Sequence, residues 1–108
     1  MAAGDLSQFG ARRGIAEWIP YIVTATGTPA GLNGPCVVGA VVCIVAGTVN
    51  GIYNASGAVS GATNLVPALA MTALQRVKFG GGRGVRFNAG VYLDITSGTY
   101  MVLAMPGV

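Results

Sequence analysis

Histidine is absent from this sequence, and charged side chains are scarce. Only 8% of the 108 residues are charged, against about 25% in ordinary soluble domains. Histidine is the side chain most often used for acid–base chemistry near neutral pH, and the three acids, Asp5, Glu17 and Asp94, are widely spaced in sequence. The composition therefore argues against an enzyme, and we expect no catalytic residue, no cofactor and no small-molecule substrate.

The two cysteines, Cys36 and Cys43, do not form a metal-binding motif, since the chain has no CxxC spacing and no histidine. On a regular strand, residues seven apart point to opposite faces and lie roughly 23 Å apart. A disulfide needs Cα atoms within about 7 Å, so these two cannot pair with each other on one strand. We expect two buried thiols, with a disulfide between subunits as the alternative.

No hydrophobic run is long enough for a transmembrane helix, which needs about 20 apolar residues. The apolar run at residues 35–46 ends at Gly47 and Thr48, and it is rich in valine and isoleucine. This pattern predicts a strand that is buried on both faces, and we expect no membrane partner. The N-terminus lacks the basic and apolar regions of a secretory signal, which predicts synthesis in the cytoplasm.

A strand with two apolar faces must be shielded from water on both faces. Strict alternation places Val37, Val41 and Cys43 on one face and Cys36, Val38 and their alternates on the other. One face fills the core of the domain, and the second requires another cover, such as a neighbouring subunit. We therefore expect a homo-oligomer, with subunit-interface candidates Val37, Val41, Cys43, Arg76 and Arg86.

The basic residues fall into two clusters, at positions 12–13 and 76–86, and give a net charge of +3. Because no aromatic residues interleave with them, a nucleic-acid partner is not expected. We expect these cations to pair with carboxylates of a protein partner, or Asp94 to pair with Arg76 or Arg86 across strands. Trp18 is a candidate interface anchor, since aromatic residues are enriched at interfaces.

Short alternating apolar segments separated by glycine-rich turns predict an all-β fold, a small antiparallel β-sandwich. Residues 1–18 are predicted to form an extended N-terminal arm, and residues 19–108 the sandwich domain. Within it, Asn50 and Gly51 indicate a hairpin turn or a bulge in one long ribbon. Further expectations are a strand over residues 71–79, a hairpin loop over 80–84, and a hairpin connection at TSGT, residues 96–99.

The C-terminal third, VRFNAGVYLDITSGTYMVLAM, resembles the ending of small tailed-bacteriophage head proteins. The matching residues are Gly84, Val85, Phe87, Gly90, Tyr92, Asp94, Gly98 and Thr99. The segments CVVGAVVCIV, NGIYN and ASGAVSG follow in the same order as in that family, so the resemblance covers about residues 19–105. It departs from the family at MTALQRVKFGGG, where no proline-glycine turn occurs, and in its two cysteines.

The resemblance implies a jelly-roll β-sandwich that decorates or cements a phage capsid, often as a homotrimer. The implied partners are the major capsid protein and further copies of the chain, and the implied location is the capsid surface of the virion. The resemblance itself identifies no binding residue. The arm with Arg12 and Arg13 would suit docking onto an acidic capsid surface, and Trp18 beside the arm is a third candidate for capsid contact. Three alternatives stay open: the base of a head fibre, a tail-associated module, and a receptor- or carbohydrate-binding β-domain.

Overall fold

Eight antiparallel β-strands make up the described part of the chain, which comprises residues 18–57, 62–66 and 68–107 of this computed structural model. The strands are β1 (Ile19–Val23), β2 (Cys36–Val45), β3 (Gly47–Asn54), β4 (Leu69–Met71), β5 (Arg76–Lys78), β6 (Val85–Phe87), β7 (Val91–Ile95) and β8 (Thr99–Pro106). No α-helix occurs in these ranges. The prediction of an all-β antiparallel, sandwich-like fold is confirmed. Of the predicted arm, only Trp18 lies within the described residues.

The strands form two sheets that enclose one hydrophobic core. In the five-stranded sheet the order is β1-β8-β2, and both β5 and β6 pair with the free edge of β2. In the three-stranded sheet the order is β4-β3-β7. The largest fully buried side chains are those of Tyr100, Phe87, Leu32, Ile52 and Leu93, and they come from both sheets and from the loop before β2.

One long antiparallel ribbon passes from the first sheet to the second. β2 pairs with β8 and β3 pairs with β7, so the chain changes sheet between β2 and β3 and again between β7 and β8. At this corner the amide of Thr96 donates to the carbonyl of Thr48 at 2.9 Å, and the Tyr100 hydroxyl donates to the carbonyl of Ser97 at 2.7 Å. A Cβ on Gly47 would collide with that Ser97 carbonyl. The predicted hairpin at TSGT is therefore wrong, because this segment is a crossing between sheets.

Two other connections also differ from the hairpins and strands expected. Asn50 and Gly51 lie inside β3, where the register to β7 shifts, so the bulge is confirmed and the hairpin is not. The strand predicted over residues 71–79 is divided into β4 and β5, since the turn at 72–75 carries the chain from one sheet to the other. In that turn Leu74 has a positive φ of 73°, a conformation that its side chain gave no reason to predict.

The glycine-rich loop at residues 80–84 does not connect the two strands of a hairpin. β5 and β6 lie one after the other along the same edge of β2. The amide of Gly84 donates to the carbonyl of Phe79 at 3.0 Å, which closes the base of the loop, and Gly80–Gly82 form a short 3-10 turn. The loop therefore interrupts what is otherwise a single edge strand.

A β-bulge at Gly39 changes the phase of β2. The register to β8 shifts between Val38 and Ala40, so one extra residue is inserted and the alternation restarts after it. As a result Val38, Val41 and both cysteines point into the core, each at 0% exposure. The prediction that Cys36 and Cys43 point to opposite faces is wrong, and so is the prediction that Val37, Val41 and Cys43 share one.

Candidate assembly surface

The outer face of the five-stranded sheet carries apolar side chains from three neighbouring strands. Alternation along β1 and β8 points Tyr21, Val23, Tyr100 and Val102 towards the core, so the residues between them point outwards. Strand register aligns these outward residues in three cross-strand rows: Ile22, Met101, Val42 and Arg76; Pro20, Leu103, Ala40 and Lys78; Met105, Val37 and Arg86. We call this surface the outer face.

Trp18 packs onto the outer face over two glycines. A Cβ placed on Gly39 would lie 2.8 Å from the ring atoms Cε2 and Cζ2 of Trp18, and a Cβ on Gly84 would lie 2.8 Å from Cη2. Both distances are shorter than van der Waals contact, so the indole occupies space that any larger residue would fill. The two glycines thus form a slot for the half-buried Trp18 beside the middle of β2.

Side chains at the centre of the outer face are nearly buried, whereas those at its margins are exposed to solvent. Ala40 and Val42 are only 8% and 6% exposed, although both point outwards. Ile22 at one margin is 56% exposed. The opposite margin, along β5 and β6, carries three exposed cations, Arg76, Lys78 and Arg86, and Arg86 Nε donates to Asn88 Oδ1 at 2.8 Å.

Exposed apolar side chains continue the outer face towards the corner of the ribbon. Ile44 and Val45, at the end of β2, are 42% and 55% exposed, and Leu74, in the turn at 72–75, is 78% exposed. The amide of Leu74 donates to the carbonyl of Cys43 at 2.8 Å, which fixes the turn beside the end of β2. We call Ile44, Val45 and Leu74 the corner patch.

On the opposite side of the molecule, the outer surface of the three-stranded sheet carries a group of hydrogen-bonded polar side chains. Asn50 Nδ2 donates to Asp94 Oδ1 at 3.3 Å and to Thr96 Oγ1 at 2.9 Å. Tyr53 and Tyr92 lie edge to face, with ring centroids 6.1 Å apart. Asp94 therefore belongs to a different sheet from Arg76 and Arg86, so the expected cross-strand ion pair is wrong.

The structure groups some predicted site residues and separates others. Trp18 and three interface candidates, Val37, Arg76 and Arg86, lie together on the outer face. Val41 and Cys43 are buried in the core at 0% exposure, because the bulge reverses their direction, so neither side chain is accessible to a neighbouring chain. Arg12 and Arg13 lie outside the described residues.

Several residues of this surface were not identified as site residues from the sequence. They include Lys78, Leu74 and three residues of β8, namely Met101, Leu103 and Met105. The alternation of β8 carries a usable signal, since both of its faces are apolar and one domain core can cover only one of them. No comparable signal marks Leu74, whose exposure depends on a turn that the sequence pattern does not reveal.

The cysteines have the character of core residues. Both are unpaired and buried, and burial raises the pKa of the Cys36 thiol above its usual value. The Cys43 thiol donates to the carbonyl of Val45 at 3.2 Å. Both side chains are fully buried, so neither thiol is accessible for a cross-link on the surface.

The described residues include one outward-facing apolar surface, the outer face, with three cations along its margin. They contain no group of three potential metal ligands among cysteine and the acids, and they contain no helix long and apolar enough to cross a membrane. Comparison with known proteins finds no matching family model, no matching curated protein and no matching solved structure.

Proposed function

We propose that this chain is a non-enzymatic structural protein of a tailed-phage virion, which binds the outer surface of the capsid and stabilises it. The observation that carries the proposal is the contrast between the two sides of the sandwich. One side exposes an ordered apolar face with a cationic margin, while the other exposes hydrogen-bonded polar groups. Extended apolar surface on a small domain marks a site of protein interaction.

The size of the outer face favours an assembly with several contacts. The eight residues of β8 span about 27 Å, and four strand positions span about 19 Å, which gives a footprint of about 500 Å². A stable two-partner interface covers about 800 Å² on each side. The outer face alone falls short of this, so additional contacts are needed, from the arm with Arg12 and Arg13 or from neighbouring copies.

The resemblance of about residues 19–105 to small tailed-phage head proteins supports the same proposal. It implies an antiparallel β-sandwich, and the described residues form an antiparallel, sandwich-like pair of sheets. The jelly-roll arrangement, the homotrimer and the position on the capsid are parts of the proposal. In this view the protein bridges capsid subunits and raises the energy needed to separate them, because its apolar surface would have to be re-exposed to water.

The test is to add the purified protein to capsids that lack it and to measure both the bound protein and the thermal midpoint of shell disassembly. We expect saturable binding and a higher midpoint. Met101→Glu, which places a charge in the centre of the outer face, should abolish both effects. Thr48→Glu adds the same charge on the three-stranded sheet and should leave both unchanged. Absence of binding and of any shift with the wild-type protein would refute the proposal.

The alternative of a carbohydrate-binding domain has less support. A sugar site needs an accessible aromatic platform with free polar groups beside it. Tyr53 and Tyr92 stand at 80° to each other, so they form an edge-to-face pair and not a flat platform. The nearby amides are hydrogen-bonded within the protein, since Asn64 Oδ1 accepts from the amides of Ile52 and Val66 at 3.0 and 3.1 Å.

A further inference from the structure

Leu74 projects into solvent from a turn that is well held. Its side chain is 78% exposed, although its backbone is fixed by the bond from its amide to Cys43. Within the turn, the amide of Gln75 donates to the carbonyl of Thr72 at 3.1 Å, and the amide of Thr72 donates to Gln75 Oε1 at 2.7 Å. A large apolar side chain is thus presented on an ordered backbone.

This position is a costly one for leucine. Its φ of 73° lies in the left-handed region, where glycine and asparagine are accommodated far more easily than a leucine. Packing in the core does not offset this strain, because most of the leucine side chain faces water. Strained residues of this kind concentrate at functional sites, and an exposed apolar side chain gains free energy only when a partner covers it.

The charges beside Leu74 indicate which kind of partner covers it. Arg76 and Lys78 follow on β5, and Arg86 continues the same margin on β6. The described residues on this side carry no carboxylate, since their single acid, Asp94, lies on the three-stranded sheet. Two copies that met through this surface would bring cations together without counter-charges, whereas a partner with carboxylates would be complementary.

We infer that Leu74 is an anchor that inserts into an apolar pocket of a different protein, the capsid subunit, and that carboxylates beside this pocket receive Arg76, Lys78 and Arg86. This inference rests on the proposed function and deepens it, because it names the contact residue and the chemistry of the partner. It also assigns the corner patch and the cationic margin to the capsid and not to a second copy of the chain.

The variant Leu74→Asn distinguishes an effect on binding from an effect on folding. Asparagine accepts the left-handed conformation, so the variant should fold and its own thermal midpoint should rise by about 2–5 °C. Its dissociation constant for capsids that lack the protein should increase at least about tenfold, as expected for loss of an interface anchor. The matched control is Leu65→Asn, which removes an exposed leucine (47%) beside the three-stranded sheet and should bind like the wild type.

A second pair of variants tests the charges. Lys78→Gln and Thr63→Glu each lower the net charge by one, but Thr63 lies in the loop beside β3. We expect Lys78→Gln to weaken binding severalfold at low salt and to reduce the dependence of the dissociation constant on sodium chloride. Thr63→Glu should change neither quantity to the same degree. Sedimentation equilibrium of all four variants reports the oligomeric state in parallel.

The outcomes separate the inference from the proposed function. If the wild type binds capsids and Leu74→Asn binds equally well, the anchor is refuted and the proposed function stands. If Leu74→Asn dissociates an oligomer of the free protein, the leucine contacts a second copy, and the choice of partner is wrong. If the wild type does not bind capsids at all, the proposed function fails and the inference fails with it. Weaker binding with an unchanged oligomeric state supports the inference.

Discussion

Gly39→Ala changes the slot in which Trp18 packs. Gly39 has no positive φ, so alanine is compatible with its backbone conformation, and the only obstacle is steric. The new Cβ would lie 2.8 Å from two ring carbons of Trp18 and 3.2 Å from a third. Van der Waals contact requires more than 3.4 Å, so the indole must move by at least half an ångström.

The magnitude follows from two opposing effects. Overpacking of this kind costs about 1–3 kcal/mol, while replacing glycine by alanine restricts the unfolded chain and stabilises by about 0.4–1 kcal/mol. We therefore expect a net loss of about 1–2 kcal/mol in the wild-type background. In a Trp18→Ala background the obstacle is absent, and Gly39→Ala should stabilise the protein by about 0.4–1 kcal/mol.

Urea denaturation of the four proteins, followed by far-UV circular dichroism, gives the coupling energy, for which we expect about 1.5–3 kcal/mol. Trp18 is the only tryptophan in the chain, so its fluorescence reports on the slot directly, and Gly39→Ala should shift its emission to longer wavelength. Gly34→Ala is the control, since a Cβ there meets nothing within 4 Å. Additivity within about 0.5 kcal/mol, with an unchanged emission spectrum, would show that Trp18 does not occupy the slot.

Two further predictions concern the ribbon corner and the buried ionisable groups. Gly47→Ala should destabilise the protein by about 3 kcal/mol in urea denaturation, because its Cβ would meet the backbone of Ser97, which cannot rotate away; a cost no greater than that of Gly34→Ala would contradict the tight corner. Burial raises the pKa of Cys36 and of Tyr100, and for Tyr100 the nearby Cys43 adds a smaller effect. The unfolded chain therefore loses these protons first, and stability should be constant below about pH 8 and fall from about pH 9 upwards. Thermal midpoints measured from pH 7 to 10.5 check this, and Cys36→Ala should reduce the fall near pH 9; a flat profile would contradict the burial of these groups.

The strands could be predicted from the sequence because their residue types and alternation are strong local signals. β8 is the clearest case, since Tyr100, Val102 and Ala104 alternate with Met101, Leu103 and Met105 as expected, and the first set is fully buried. The phase of β2 could not be predicted in the same way. A single inserted residue, Gly39, reverses the side chains from Ala40 to Cys43, after which the register to β8 shifts again. An apolar residue at every position leaves no pattern from which to detect these changes.

The connections between strands were the second feature that could not be predicted correctly from the sequence. A hairpin and a ribbon that bends between two sheets have the same local signature, namely two alternating segments joined by small residues. At residues 96–98 the choice is made by contacts from other parts of the chain, such as the Thr96 amide with Thr48 and the close approach of Gly47. The same limit explains Leu74, whose left-handed conformation depends on a bond to β2 that no local pattern contains.

Scarcity of charge is the most unusual property of this sequence. The few charged side chains in the described residues are unevenly distributed over the fold. Three of the described cations lie along one margin of the outer face, whose apolar centre is already closed by the close packing of Ala40 and Val42. A surface that is rigid and filled before binding loses little conformational entropy when a partner covers it. We therefore expect docking by rigid-body contact, with the negative heat-capacity change of apolar burial and with its salt dependence confined to the margin on β5 and β6. Under the proposed function, we therefore attribute the specificity for the capsid to the few charges of this face and the affinity to its apolar rows.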